Sequence, residues 1–66
     1  MPSYKIQGQL LGTLIDAKRP LSTKKVAIFS EVSWKTARDN LEKLFELGMV
    51  YRGRVGNNKR IYWKNA

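Results

Sequence analysis

Cysteine and histidine are both absent from this 66-residue chain. Disulfide staples, thiolate chemistry and the usual zinc sites are thereby excluded, since these residues supply their reactive and ligating atoms. Acidic residues are scarce: 5 Asp and Glu stand against 13 Lys and Arg, a formal net charge of +8. The carboxylates form no clustered acid–base or metal pattern, so neither an enzyme nor a bound cofactor or metal is expected. No apolar run approaches the length of a membrane span, and Met1-Pro2-Ser3-Tyr4-Lys5 lacks the charged-then-apolar order of an export signal. A cytoplasmic protein with no membrane partner is the expectation. Residues 1–66 read as a single domain without repeats. At this size a fold buries only about 60% of the surface its unfolded chain exposes, which leaves no room for a second, pocket-bearing unit.

The positive charge is concentrated at one end. From Met49 to Ala66 the bases Arg52, Arg54, Lys59, Arg60 and Lys64 stand with no acid among them. The preceding residues come closer to balance. Such a one-sided field attracts phosphates and repels other basic surfaces.

Apolar spacing divides the chain into elements. Ile6, Leu10, Leu14 and Ala17 recur at helical intervals and define a buried stripe on a first helix from Tyr4 to Ala17. Pro20 disfavours helical geometry at Arg19, so Pro20-Leu21-Ser22 is expected to be a short extended link. Ser22 then suits the N-cap of a second helix, Thr23 to Ser30, with Val26 and Ala27 facing inward. Glu31-Val32-Ser33 forms a turn with Val32 as its buried plug. Ser33 caps a third helix running to about Leu47, whose inner residues are Ala37, Leu41, Leu44 and Phe45. Gly48 can take the left-handed conformation that ends a helix. Met49 to Val55 and Arg60 to Lys64 are rich in β-branched and aromatic residues, and Gly56-Asn57-Asn58-Lys59 suits a hairpin tip. Ile61 and Trp63 are expected in the core, with Tyr51 and Tyr62 half-buried.

The stretch Val26-Ala27-x₄-Val32-Ser33-x₂-Thr36-Ala37-x₃-Leu41-x₂-Leu44-x₃-Gly48-Met49-Val50 is the spacing of two short helices crossed at a tight turn and followed by a strand. Over residues 6–64 the chain resembles the winged helix-turn-helix domains of small prokaryotic regulators of the ArsR and MarR kind. The resemblance implies an α+β fold of three helices followed by a two-stranded hairpin wing. It also implies that the third helix enters the major groove of DNA while the wing lies on the adjacent backbone or minor groove. Two positions depart from the pattern: Glu31 stands where the family usually has Gly, and Ser30 where it usually buries a leucine, with Ile28 and Phe29 at positions that often face solvent. Either the turn is a residue longer or Glu31 accepts mild backbone strain, and either the second helix is rotated or the apolar pair marks a contact with a partner chain.

The residues of the third helix fit that reading; taken alone its outer face would be a solvated amphipathic surface, and the basic wing beside it shifts the balance to DNA. At about 100° per residue, the face opposite Ala37, Leu41 and Leu44 carries Lys35, Asp39, Glu42 and Glu46, flanked by Thr36, Arg38 and Lys43. Its bases crowd the leading half, so insertion by the N-terminal end would bring Ser33, Lys35, Thr36 and Arg38 to phosphates or base edges. Glu42 and Glu46 are expected to stay clear of the DNA backbone. Trp34 either closes the core against the second helix or lies against sugar and base. Asp39 either accepts from cytosine or orients Arg38 or Lys35. On the second helix, Lys24 and Lys25 are candidate backbone contacts. In the wing, Arg52 and Arg54 share a face and can meet one phosphate track, with Asn57, Asn58, Lys59 and Arg60 at or near the tip.

On the first helix, Tyr4, Gly8, Leu11 and Ile15 form a second line with the step of a helix–helix seam, and Gly12 lies beside it. Glycine costs a helix roughly 1 kcal/mol relative to alanine, so this line either receives a second copy of the chain or packs beneath the wing. The expected partner is double-stranded DNA, bound by a transcription regulator, most simply a repressor acting as a homodimer. The alternative is an adaptor of the same fold that binds protein or RNA.

Overall fold

The computed structural model describes residues 3–54 and 60–66. The expected hairpin tip, including Asn57, Asn58 and Lys59, lies outside the described residues. The elements in chain order are α1 (Tyr4–Ala17), β1 (Leu21–Ser22), α2 (Thr23–Ser30), α3 (Trp34–Glu46), β2 (Val50–Arg54) and β3 (Ile61–Asn65). Among the described residues, no helix is long and apolar enough to cross a membrane.

Helix ends fall where capping chemistry puts them. Ser22 Oγ accepts from the Lys25 N–H at 3.2 Å, and Ser33 Oγ accepts from the Thr36 N–H at 3.1 Å. Each satisfies one of the donors that a helix start leaves unpaired. At the far end of α3, Gly48 has φ +74, its N–H donates to the Phe45 carbonyl at 3.0 Å, and the Met49 N–H donates to the Leu44 carbonyl at 2.9 Å. This is a Schellman closure, in which a left-handed glycine turns the last carbonyls back onto the chain.

The same closure ends α2 without a glycine. Glu31 takes φ 56 and ψ 42, its N–H bonded to the Ile28 carbonyl and that of Val32 to the Ala27 carbonyl. The departure at Glu31 is therefore absorbed as left-handed backbone, with no lengthening of the turn. Left-handed geometry costs an L-residue roughly 1–2 kcal/mol, part of which glycine returns through its freer unfolded chain. Glu31→Gly should stabilise the domain by about 0.5–1 kcal/mol, read as a higher urea midpoint at unchanged slope. An unchanged or lower midpoint would mean that the glutamate side chain compensates.

Leu10 and Leu14 of α1, Val26 and Ala27 of α2, and Ala37, Leu41 and Leu44 of α3 meet Leu21, Val50 and Trp63 of the sheet in one core. Ile6, Leu11, Ala17, Val32 and Ile61 pack against it, partly buried. Helix α2 keeps the expected orientation: Ile28 and Phe29 point to solvent, 58% and 54% exposed, and Ser30 is buried. The Ser30 hydroxyl lies 2.8 Å from that of Thr13, which itself donates to the Gln9 carbonyl. A hydrogen bond between α1 and α2 thus replaces the leucine.

The sheet is antiparallel in the order β1-β3-β2, with the extended link Leu21–Ser22 acting as a third strand. Leu21 and Arg52 both lie opposite Trp63, and Arg54 lies opposite Ile61. Directly opposed residues share a face, so Arg52 and Arg54 continue the inner face of the sheet beyond the core. Tyr51, Tyr62 and Lys64 take the outer face. Among the described residues no helix covers that face at Tyr51, which is 64% exposed rather than half-buried. Phe45 also differs from expectation. It turns toward β2 and stays 39% exposed, with the Arg52 guanidinium 4.2 Å from its ring centre.

Candidate nucleic-acid interface

The candidate interface centres on two helix N-termini. Neither α2 nor α3 has an acidic residue in its first turn. Lysines stand there instead, Lys24 and Lys25 on α2 and Lys35 on α3, all exposed. A cation at the positive end of a helix dipole opposes folding by about 0.3–1 kcal/mol. The same arrangement raises the positive potential that free N–H groups present to an anion.

Between these N-termini and β3 lies a groove of about 420 Å³. Lys24, Arg38 and Arg60 contribute three cations to its wall and Glu42 one carboxylate. Ile61 and Trp63 form the apolar part of the lining, and Trp34 stands at its side. The leading half of α3 and the start of the second wing strand therefore share one positively biased concavity. Glu42 does not stay clear of this surface. At about 100° per residue it follows Arg38 on the flank turned toward the wing.

Trp34 does not close the core. It is 52% exposed, and the Arg38 guanidinium lies 5.1 Å from its ring centre. The tryptophan that closes the core is Trp63, 1% exposed, whose indole N–H donates to the Thr23 hydroxyl at 2.8 Å. Asp39 accepts from Arg38 Nε at 3.3 Å and from a terminal guanidinium nitrogen at 3.1 Å. This is the contact that its orienting role requires. Arg38 is thus held from two sides, by a carboxylate and by an aromatic ring.

The other candidates are distributed around this centre. Ser33 Oγ donates to Thr36 Oγ1 at 2.8 Å, which holds the Ser33 hydroxyl at the helix start. Lys43 lies on the flank away from the groove and pairs with Glu46 at 3.7 Å. Lys25 reaches over Phe29, its ammonium 6.0 Å from the ring centre. Arg54 is exposed on the inner sheet face, beyond Arg52. On α1, Tyr4 is 91% and Ile15 51% exposed, Gly8 is exposed, and Leu11 and Gly12 are intermediate.

Sequence reasoning missed Asn40, which is fully buried. Its Oδ1 accepts from the Ser3 N–H and its Nδ2 donates to the Thr36 carbonyl, both at 2.8 Å. It ties the start of α1 to the first turn of α3, so it sets where the leading end of α3 points. Its position on the border of the apolar stripe was the available signal.

The crystal structure of a zinc-responsive MarR family member, ZitR of Lactococcus lactis, resembles the chain with a TM-score of 0.82 at 19% sequence identity. The likeness covers 100% of this chain and 45% of that one. This is a winged-helix fold. No family model matches the sequence, and no curated protein matches it significantly. In winged-helix terms, α2 and α3 are the helix-turn-helix and β2 and β3 the wing. Among the described residues, no group of three or more His, Cys, Asp or Glu is placed to hold a metal ion.

Proposed function

We propose that this winged helix binds double-stranded DNA as a transcription regulator, most simply a repressor that occupies its operator. The leading turn of α3 enters the major groove, and the wing follows the adjacent backbone. The observation that carries this reading is the groove lined together by Lys24 of α2, Arg38 of α3 and Arg60, the residue before β3. Three cations against Glu42 and the Asp39 carboxylate paired with Arg38 leave a positive balance, which suits a phosphate track. The acid-free N-termini of α2 and α3 favour the same ligand.

Selection of bound duplexes from a random library, followed by titration against salt, tests the proposal. A defined motif should emerge, and log affinity should fall against log salt by about 0.9 for each phosphate neutralised. Arg54→Ala should weaken target and random duplexes alike and reduce the slope by about 1. Weak binding with no motif would instead favour the adaptor reading, which draws on the exposed Ile28 and Phe29.

The dimer belongs to the same proposal. Tyr4, Gly8, Leu11, Gly12 and Ile15 form an α1 surface at which a methyl group on Gly8 or Gly12 would meet nothing within 4 Å. Packing within the chain therefore does not require these glycines, while close approach of a second α1 would use them. Light scattering should give a dimer for the natural sequence and a monomer for Ile15→Glu, a change at an exposed position. A monomeric natural protein would end the seam, and operator binding would then involve single sites.

A further inference from the structure

Strand β2 forms one edge of the sheet, and its register with β3 determines which backbone groups that edge leaves open. The Ala66 N–H donates to the Met49 carbonyl at 3.1 Å, one step beyond the pairing of Val50 with Asn65. Hydrogen-bonded pairs recur at every second position of an antiparallel ladder, so they fall at Tyr51 with Lys64 and at Gly53 with Tyr62. The N–H and C=O groups of Arg52 and Arg54 therefore point away from β3. They face the side of β2 on which no strand lies among the described residues. Such an edge is a template for another strand.

Side chains decide which strand it can take. Arg52 and Arg54 stand on the inner face of the edge, both exposed. A second copy of β2 would set its own arginines against them, and like charges directly opposed destabilise a pair. An acidic strand would be attracted instead. On the outer face Gly53 leaves a gap, because a Cβ there would meet nothing within 4 Å. Pro20, Tyr51 and Tyr62 border a slot of about 230 Å³ at this gap. A large ring on an incoming strand, opposite Gly53, would lie over the glycine and against the tyrosines.

We infer that the free edge of β2 binds an extended segment of a partner protein in which two acidic residues flank an aromatic one. The alternation matches strand geometry, with the acids opposite Arg52 and Arg54 on one face and the ring opposite Gly53 on the other. Backbone hydrogen bonds to Arg52 and Arg54 give affinity, and the alternating side chains give specificity. None of the 5 acidic residues of this chain lies two positions from another, so a second copy cannot supply the segment. The docking does not depend on the duplex reading. Its consequence does rest on that reading: an acid held against Arg54 would take the charge proposed to follow the phosphate backbone, and the partner would antagonise DNA binding.

The test titrates the protein with a synthetic peptide carrying Glu-Phe-Glu between threonines, at fixed ionic strength, and follows amide hydrogen exchange by NMR. The Arg52 and Arg54 amides should become protected, which attraction between charges alone would not cause. Peptides with Gln-Phe-Gln or Glu-Ala-Glu in that place should each bind about tenfold more weakly. Gly53→Thr fills the slot with a residue that strands accept, and should remove the preference for phenylalanine over alanine while keeping that for glutamate over glutamine. Binding without protection of the two amides, or equal binding of the three peptides, would overturn the inference. Protection that appears with protein concentration alone would do the same, by assigning the edge to a second copy. If the duplex binds and no peptide does, the inference fails and the duplex reading survives. If the peptide docks and no duplex binds, the docking stands and the duplex reading fails. A duplex that stays bound while the peptide docks would rule out the antagonism.

Discussion

Trp63→Ala is expected to leave the domain largely unfolded at room temperature. Trp63 lies at the centre of the sheet, with Leu21 on one neighbouring strand and Arg52 on the other. It is the largest of the fully buried side chains. Truncating a buried tryptophan costs about 3–5 kcal/mol, whereas a domain of this size has a total stability of only about 3–10 kcal/mol. The substitution also leaves the Thr23 hydroxyl, itself 8% exposed, without its indole partner. Thr23→Val separates the two contributions. It keeps the ring and removes its acceptor, for a loss of about 1–3 kcal/mol. Circular dichroism against urea measures both variants. A Trp63→Ala protein melting within a few degrees of the natural sequence would show that the core is not organised around this residue.

The two tryptophans show where the sequence was legible and where it was not. Strand alternation placed Trp63 inside together with Ile61, because a two-residue period leaves little choice once one face is buried. Trp34 at a helix start had no comparable constraint. Its position on the flank between core and solvent suited either fate, and in the fold it stays half exposed with Arg38 over its ring. Helix ends were readable because Ser22, Ser33 and Gly48 act on backbone groups close by in sequence. The third strand was not, since Leu21 becomes one only by pairing with Trp63, 42 positions later in the chain. Phe45 and Asn40 belong to the same class. Each sits at the edge of the α3 stripe, and what covers it, Arg52 in one case and Ser3 in the other, comes from a distant segment.

The site was legible in composition and only partly in geometry. An acid-free tail announced the charge, and the helical wheel placed Arg38 on the leading half of α3. Neither could bring Lys24 to the same groove, because that depends on the angle at which α2 crosses α3. The left-handed Glu31 sets part of that angle. Asn40 sets another part by pinning the first turn of α3 to Ser3. The residues that orient α3 are thus distinct from those expected to touch DNA.

The other large effect is expected at Arg38, where alanine should reduce the preference for target over random duplex by about tenfold or more, in line with the roughly 1–3 kcal/mol of discrimination carried by one well-placed bidentate base contact. A free arginine loses rotamer entropy on binding. Arg38 has much of that freedom already removed by Asp39 and by the Trp34 ring, and its side chain is still 40% exposed. Pre-orientation favours a planar, two-pronged acceptor, which guanine presents in the major groove. Asp39→Asn keeps a hydrogen-bond acceptor but loses the charge that fixes the guanidinium, so it should give a smaller loss of preference at the same base pair. The comparison with Arg54→Ala is decisive, because that change removes the same charge from the wing and should weaken every duplex equally. Competition titrations of target and random duplex at one fixed salt concentration measure all three variants. If Arg38→Ala weakened both duplexes by the same factor, as Arg54→Ala is expected to do, Arg38 would be a phosphate contact and α3 would read sequence through Lys35 or not at all.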